Sequence, residues 1–113
     1  DAEAAVAAWA EAWRSRDVDA YLRSYAPGFS RWGLPPEAWQ RSRRNRITSV
    51  PWIEVELAGV RVDVLAPERA RIAFVQRYRD PGYADEVFKV LLAERLGGEL
   101  LIVAEADRPL QAP

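Results

Sequence analysis

The chain is expected to fold as an α+β domain in which three N-terminal helices pack on a curved, mainly antiparallel four-stranded sheet. Two patterns predict it. Apolar residues recur at helical spacing up to about residue 46, and at a spacing of two from Trp52 onward. The 113 residues, half of them hydrophobic, suit a single core in one domain, expected over 1–106 with 107–113 as a C-terminal tail.

Val6, Trp9, Ala10 and Trp13 fall on one helical stripe, leaving Glu3, Glu11 and Arg14 for solvent. Asp17 is a natural N-cap for a short second helix carrying Val18, Tyr21, Leu22 and Tyr25, closed by Pro27-Gly28. Pro35-Pro36 and Glu37 favour the start of a third helix, which carries Trp39 and runs to about Arg46. In the first strand Ile53, Val55 and Leu57 alternate with acids, and then Val60, Val62 and Val64 alternate with Arg61 and Asp63. The apolar phase thus slips at Ala58-Gly59, the mark of a β-bulge. Pro67-Glu68 turns the chain into a strand over 70–79, Pro81-Gly82 into one over 84–96, and Gly97-Gly98 into one over 99–105.

The turns set a register. If Asp80 lies opposite Tyr83, then Tyr78 faces Asp85, Gln76 faces Val87 and Phe74 faces Lys89. A two-residue Gly97-Gly98 hairpin sets Ala93 opposite Ile102 and Leu91 opposite Ala104, and Val60, Val62 and Val64 extend the same face. The tryptophan-rich helices should cover that face. The opposite face carries Val75, Phe88, Val90, Leu92, Leu101 and Val103 among charged residues, an apolar patch suited to a homodimer or to docking on other domains.

Composition excludes much chemistry. The chain has no Cys and no His, so the usual zinc, haem and iron–sulfur ligands are missing, as is any imidazole base. No metal or cofactor is expected. A net charge of −1 argues against a wholly basic nucleic-acid module, and no apolar run nears the roughly 20 residues of a bilayer span. The absence of Met and the preference for Arg over Lys suggest a domain of a longer, GC-rich bacterial protein.

The order of elements, with AWAEAWRSRDVDAYLRSYAPGF and IAFVQRYRDPGYADEVFKVLL, resembles the nuclear transport factor 2-like (SnoaL-like) superfamily. More narrowly, residues 3–106 resemble the C-terminal domain appended to bacterial L,D-transpeptidase-type and tetratricopeptide-containing envelope proteins. The resemblance implies a cone-shaped fold with a pocket between helices and sheet, and a periplasmic or envelope location. It fixes no chemistry, because the superfamily holds isomerases, dehydratases, cyclases, hydrolases and non-enzymatic modules.

Gln76, Tyr78, Asp85 and Lys89 form the best candidate site, with Phe74, Trp13, Tyr25 and Trp39 as its aromatic wall and Trp32 near its mouth. The competing reading is a satisfied buried network with Lys89 reaching the rim. By analogy with the superfamily's ketosteroid isomerases, Asp85 would act as base and Tyr78 as donor, but no second inward carboxylate is expected, since Asp63 falls on the outer face beside Arg71. The dehydratase- and cyclase-type members rely on His–Asp pairs, which this sequence cannot form. Trp39, Arg43 and Arg46 share one face of the third helix. That basic run, with Arg41 and Arg44, reads first as a solvated helix end and second as an anion site.

The first expectation is therefore a non-enzymatic accessory or ligand-binding domain of a larger envelope protein, its ligand a small molecule or cell-wall fragment. An isomerase or lyase using Asp85 and Tyr78 comes second, and a dimerisation module third.

Overall fold

The computed structural model describes residues 1–110. Three helices, α1 (Ala2–Arg14), α2 (Val18–Arg23) and α3 (Pro36–Thr48), precede four strands, β1 (Glu54–Ala66), β2 (Arg69–Asp80), β3 (Tyr83–Leu96) and β4 (Glu99–Pro109). The strands form one antiparallel meander in the order β1-β2-β3-β4.

Local chemistry sets the helix ends. Asp1 caps α1 by accepting from the Ala4 amide at 2.7 Å, and Asp17 caps α2 by accepting from the Ala20 amide at 3.1 Å. α3 starts after Pro35 and continues two residues past Arg46, because Ile47 is fully buried under it. Arg16, in the left-handed region at φ 61°, sends its guanidinium to the Ile47 and Thr48 carbonyls, placing a cation at the C-terminus of α3.

The helices cover one sheet face. Arg14 of α1 donates to the Val55 carbonyl at 3.0 and 2.8 Å, and residues after α2 are stitched to β4 by Ala26 N–H to the Ile102 carbonyl at 2.8 Å and Ile102 N–H to the Ser24 carbonyl at 2.9 Å. Between the layers runs an aromatic core. Trp9 lies 5.4 Å from Trp13 and 5.9 Å from Phe74, and Tyr25, Phe29 and Trp39 meet pairwise at 4.6–4.8 Å.

Two bulges govern which side chains face the helices. At the first, Ala58 pairs with Val75 and Arg61 with Ala73, with Gly59 at φ 62° supplying the left-handed residue. Val62 and Val64 then pair with Ile72 and Ala70 as the phase slip predicts. Val60, expected on the inner face opposite Phe74, is consumed by the bulge and exposed, and Val64 lies beyond the reach of the helices at 76% exposure. The second bulge is unexpected: Ala93 pairs with Ile102 but Leu92 with Ala104, so Val103 is the extra residue. Leu91 therefore faces Glu105 instead of Ala104, and Lys89 faces Asp107. Residues 107–109, expected in the tail, are the last of β4; 111–113 lie outside the described residues.

Candidate functional site

The Pro81-Gly82 turn delivers the expected register, with Asp80 opposite Tyr83, Tyr78 opposite Asp85, Gln76 opposite Val87 and Phe74 opposite Lys89. Tyr78, Gln76, Asp85 and Lys89 consequently project from the sheet floor toward α3, where a cavity of about 260 Å³ opens. Trp39, Arg43 and Arg46 form its α3 wall, Trp13 and Tyr21 close the side toward α1 and α2, and Arg31 and Trp32 stand at the loop before α3. Trp32, at φ 59° and 60% exposed, carries the Arg31 guanidinium over its ring at 5.1 Å.

The second bulge brings a carboxylate to the end of this floor. The Glu105 side chain, 4% exposed, accepts from Tyr25 OH at 2.7 Å, from Lys89 Nζ at 2.6 Å and from Arg31 at 3.1 Å. Lys89 is itself buried, with its ammonium 5.5 Å from the rings of both Trp9 and Trp13. Burial alone would raise the Glu105 carboxyl. The Lys89 charge, hydrogen bonds from Lys89 and Tyr25 and the Arg31 charge outweigh it and hold the group below its ordinary range. Burial, reinforced by the Glu105 charge, pushes the Tyr25 phenol well above its own. The Tyr21 and Tyr25 hydroxyls lie 3.1 Å apart, and Arg43 Nε donates to Tyr21 at 3.2 Å. Because the single Tyr25 proton serves Glu105, the relay runs from Arg43 through Tyr21 and Tyr25 to Glu105.

The other polar groups pair differently from the cross-strand expectation. Tyr78 OH donates to Asp80 Oδ2 at 2.6 Å, not to Asp85, because side chains two apart on one strand share a face and can lean along it. Arg46 closes on the same Asp80 oxygen at 2.6 Å. Burial and the Asp80 hydrogen bond push the Tyr78 phenol up to about 12, while the Tyr78 hydrogen bond, with the Gly82 amide and Arg46, holds Asp80 low. Asp85 Oδ2 accepts from Tyr83 OH at 2.9 Å, which raises the Tyr83 phenol. Three residues that line the cavity each hold a buried polar atom with no hydrogen-bond partner among the described residues: Asp85 Oδ1, Gln76 Oε1 and Trp39 Nε1. Such atoms are rare in folded proteins, where each unmade bond costs about 1–3 kcal/mol.

The profile of the Cds6 C-terminal NTF2-like domain matches residues 1–106. The chain belongs to that family. Solved structures agree on the fold. Bdellovibrio bacteriovorus Bd1075 superposes with a TM-score of 0.86 at 24% identity, over 96% of this chain and 39% of that one. The helical cell shape determining protein Pgp2 (K307A mutant) of Campylobacter jejuni gives 0.81 at 21% identity, over 91% of this chain and 38% of that one. A Streptomyces avermitilis protein of the NTF2-like family, provisionally named a dehydratase, gives 0.82 at 15% identity, over 98% and 94%. The chain thus spans about two-fifths of the length of Bd1075 and Pgp2. No curated protein sequence matches.

In this Cds6 C-terminal NTF2-like domain the cavity gathers Gln76, Tyr78, Asp85, Lys89, Trp13 and Trp39 from among the expected site residues. Phe74 and Tyr25 do not line the cavity: both are buried in the core, and Tyr25 is linked to the site through its hydroxyl bond to Glu105. Further inward carboxylates are present: Glu105 and Asp107, which the Val103 bulge turns inward, and Asp80, buried beside Tyr78. The arginine run divides. Arg44 pairs with Asp19 at the surface, whereas Arg43 and Arg46 line the cavity. Val75, Phe88, Val90, Leu92, Leu101 and Val103 are half-buried; Arg108 stacks over Phe88 at 5.2 Å, and Arg77 pairs with Glu86 and Glu56 nearby. Among the described residues no cluster of His, Cys, Asp or Glu is arranged to hold a metal ion, and no helix is long and apolar enough to cross a membrane.

Proposed function

We propose that this domain is a non-catalytic ligand-binding module of a longer bacterial envelope protein, with its ligand seated between α3 and the sheet. One observation carries the reading: Asp85, Gln76 and Trp39 line one aromatic-walled cavity, and each holds a buried polar atom, Oδ1, Oε1 and Nε1, without a partner among the described residues. Fixed polar groups set among aromatic walls are what orients a small ligand. The larger-protein context is supported by fold likeness to Pgp2, named as a cell shape determining protein, and by the share of that chain which the domain spans. A cell-wall fragment fits that context as ligand. The outer face of Val75, Phe88, Val90 and Leu92 supports a homodimer or docking on neighbouring domains.

Catalysis by Asp85 and Tyr78 has less support. General acid–base work needs groups poised near neutral pH, and Tyr78 is committed to Asp80 with its phenol pushed up to about 12. An Asp85→Asn variant separates the readings in a thermal-shift assay against small-molecule and cell-wall-fragment panels. The ligand-binding account expects an unchanged melting temperature and loss of ligand protection. A drop in melting temperature with ligand protection retained would show that Asp85 is structural.

A further inference from the structure

Most charges around the cavity cancel in pairs. Arg46 meets Asp80 at 2.6 Å, and Lys89 and Arg31 meet Glu105 and Asp107 at 2.6–3.6 Å. Two do not cancel. Arg43 forms no ion pair among the described residues; its Nε donates to Tyr21 OH at 3.2 Å and its guanidinium lies 5.5 and 5.4 Å from the Trp13 and Tyr21 rings. Asp85 likewise has no cation, only Tyr83 OH at 2.9 Å on one oxygen, while its other oxygen is buried and unpartnered. Both residues line the same cavity.

The neutral atoms repeat this polarity. Trp39 lies one helical turn before Arg43 on α3, and its unpartnered Nε1 is a donor. Gln76 lies beside Asp85 on the sheet floor, and its unpartnered Oε1 is an acceptor. The helix wall therefore offers a cation and an N–H, while the floor offers a carboxylate and a carbonyl. A simple anion would satisfy the wall but meet Asp85, and a simple cation would satisfy the floor but meet Arg43. A molecule carrying both charges satisfies all four. A cavity of about 260 Å³ lies just below the roughly 300–1,000 Å³ of drug-sized ligand pockets, which limits its ligand to a small molecule.

Building on the ligand-binding reading above, we infer that the cavity takes a small zwitterion of amino-acid or dipeptide size, its carboxylate on Arg43 and Trp39 and its ammonium on Asp85 and Gln76. Binding of alanyl-alanine, in L,L and D,D forms, to the whole domain is measured by calorimetry and by the Trp39 indole N–H resonance. Its N-acetylated and C-amidated derivatives are measured alongside. At least one dipeptide is expected to bind, and each blocked derivative to bind at least about tenfold more weakly, as loss of one charge-assisted hydrogen bond implies. Arg43→Gln is expected to abolish discrimination against the amide alone, and Asp85→Asn discrimination against the acetyl form alone. The wild-type comparison needs no variant to fold. Equal binding of blocked and free dipeptides overturns the inference and leaves the ligand-binding reading standing. So does silence from every dipeptide while neutral or singly charged fragments move the Trp39 resonance. Silence from dipeptides and fragments alike overturns both.

Discussion

Glu105→Gln is the sharpest test of how the site is held. The substitution keeps the side chain's shape and one acceptor for Tyr25, but it removes the charge facing Lys89 at 2.6 Å and Arg31 at 3.1 Å. Lys89, with a side chain 5% exposed, keeps only Asp107 at 3.6 Å and the two tryptophan faces. Breaking a buried pair by removing one partner costs about 3–5 kcal/mol. Because Asp107 partly compensates, a loss of about 3 kcal/mol is expected, near the low end of that range. In a domain of this size that lowers the melting temperature by roughly 10–15 °C. Urea unfolding with linear extrapolation supplies the free energy. Adding Lys89→Met removes the orphaned cation and is expected to recover at least about 1 kcal/mol, a coupling that a double-mutant cycle isolates. A single variant losing less than about 1 kcal/mol, or a double variant no more stable than the single, would refute the reasoning. The pH dependence has a definite sign. With Glu105 below its ordinary 4.5, the unfolded chain takes up the proton first, so its stabilising effect is complete above that pH and lost as pH falls beneath it. The acid limb should be shallower in Glu105→Gln.

Three further outcomes follow from the same structure. Tyr25 and Tyr78 both have raised phenols, the latter to about 12, so the folded state holds their protons longer; stability should decline as pH rises above about 10, and less steeply in Tyr78→Phe, as alkaline urea titrations would show. Deleting Val103 removes the extra residue while leaving Ile102 opposite Ala93 and Glu105 opposite Leu91, so Glu105 stays inward and the variant should fold and lose less stability than Glu105→Gln; circular dichroism melts decide, and a loss larger than that of Glu105→Gln would contradict the assigned register. Val90→Arg should convert any dimer to monomer in light scattering while leaving cavity binding intact, and an unchanged oligomer would clear the outer face of that role.

The fold was legible where residue chemistry marks it. Trp9 and Trp13 at helical spacing, Asp17 as a cap and the Pro81-Gly82 turn each constrain a local conformation on their own, and the turn carries the register through to Lys89. Gly59 announced the first bulge because a left-handed residue there favours glycine. The Val103 bulge carries no such mark. Leu100 to Ala104 is an unbroken apolar run without Gly or Pro, so alternation cannot fix its phase, and Glu105 went unseen as a site residue. The side chains of α3 were half legible: periodicity groups Trp39, Arg43 and Arg46, but only the packing of α3 over the sheet shows that the group faces a cavity. The Tyr78 partner could not be read from register, since a flexible choice between a cross-strand and a same-strand carboxylate is settled by Arg46 arriving from α3.

The central claim is that the cavity binds a ligand through its unpartnered polar atoms. The most direct measurement is a fragment screen read at the five tryptophan indole N–H resonances, with Asp85→Asn as control. The account predicts compounds that shift Trp39 in the wild type and lose that shift in the variant, while fully buried Trp9 stays still. A screen in which no compound moves Trp39, or in which every shift survives Asp85→Asn, would contradict it.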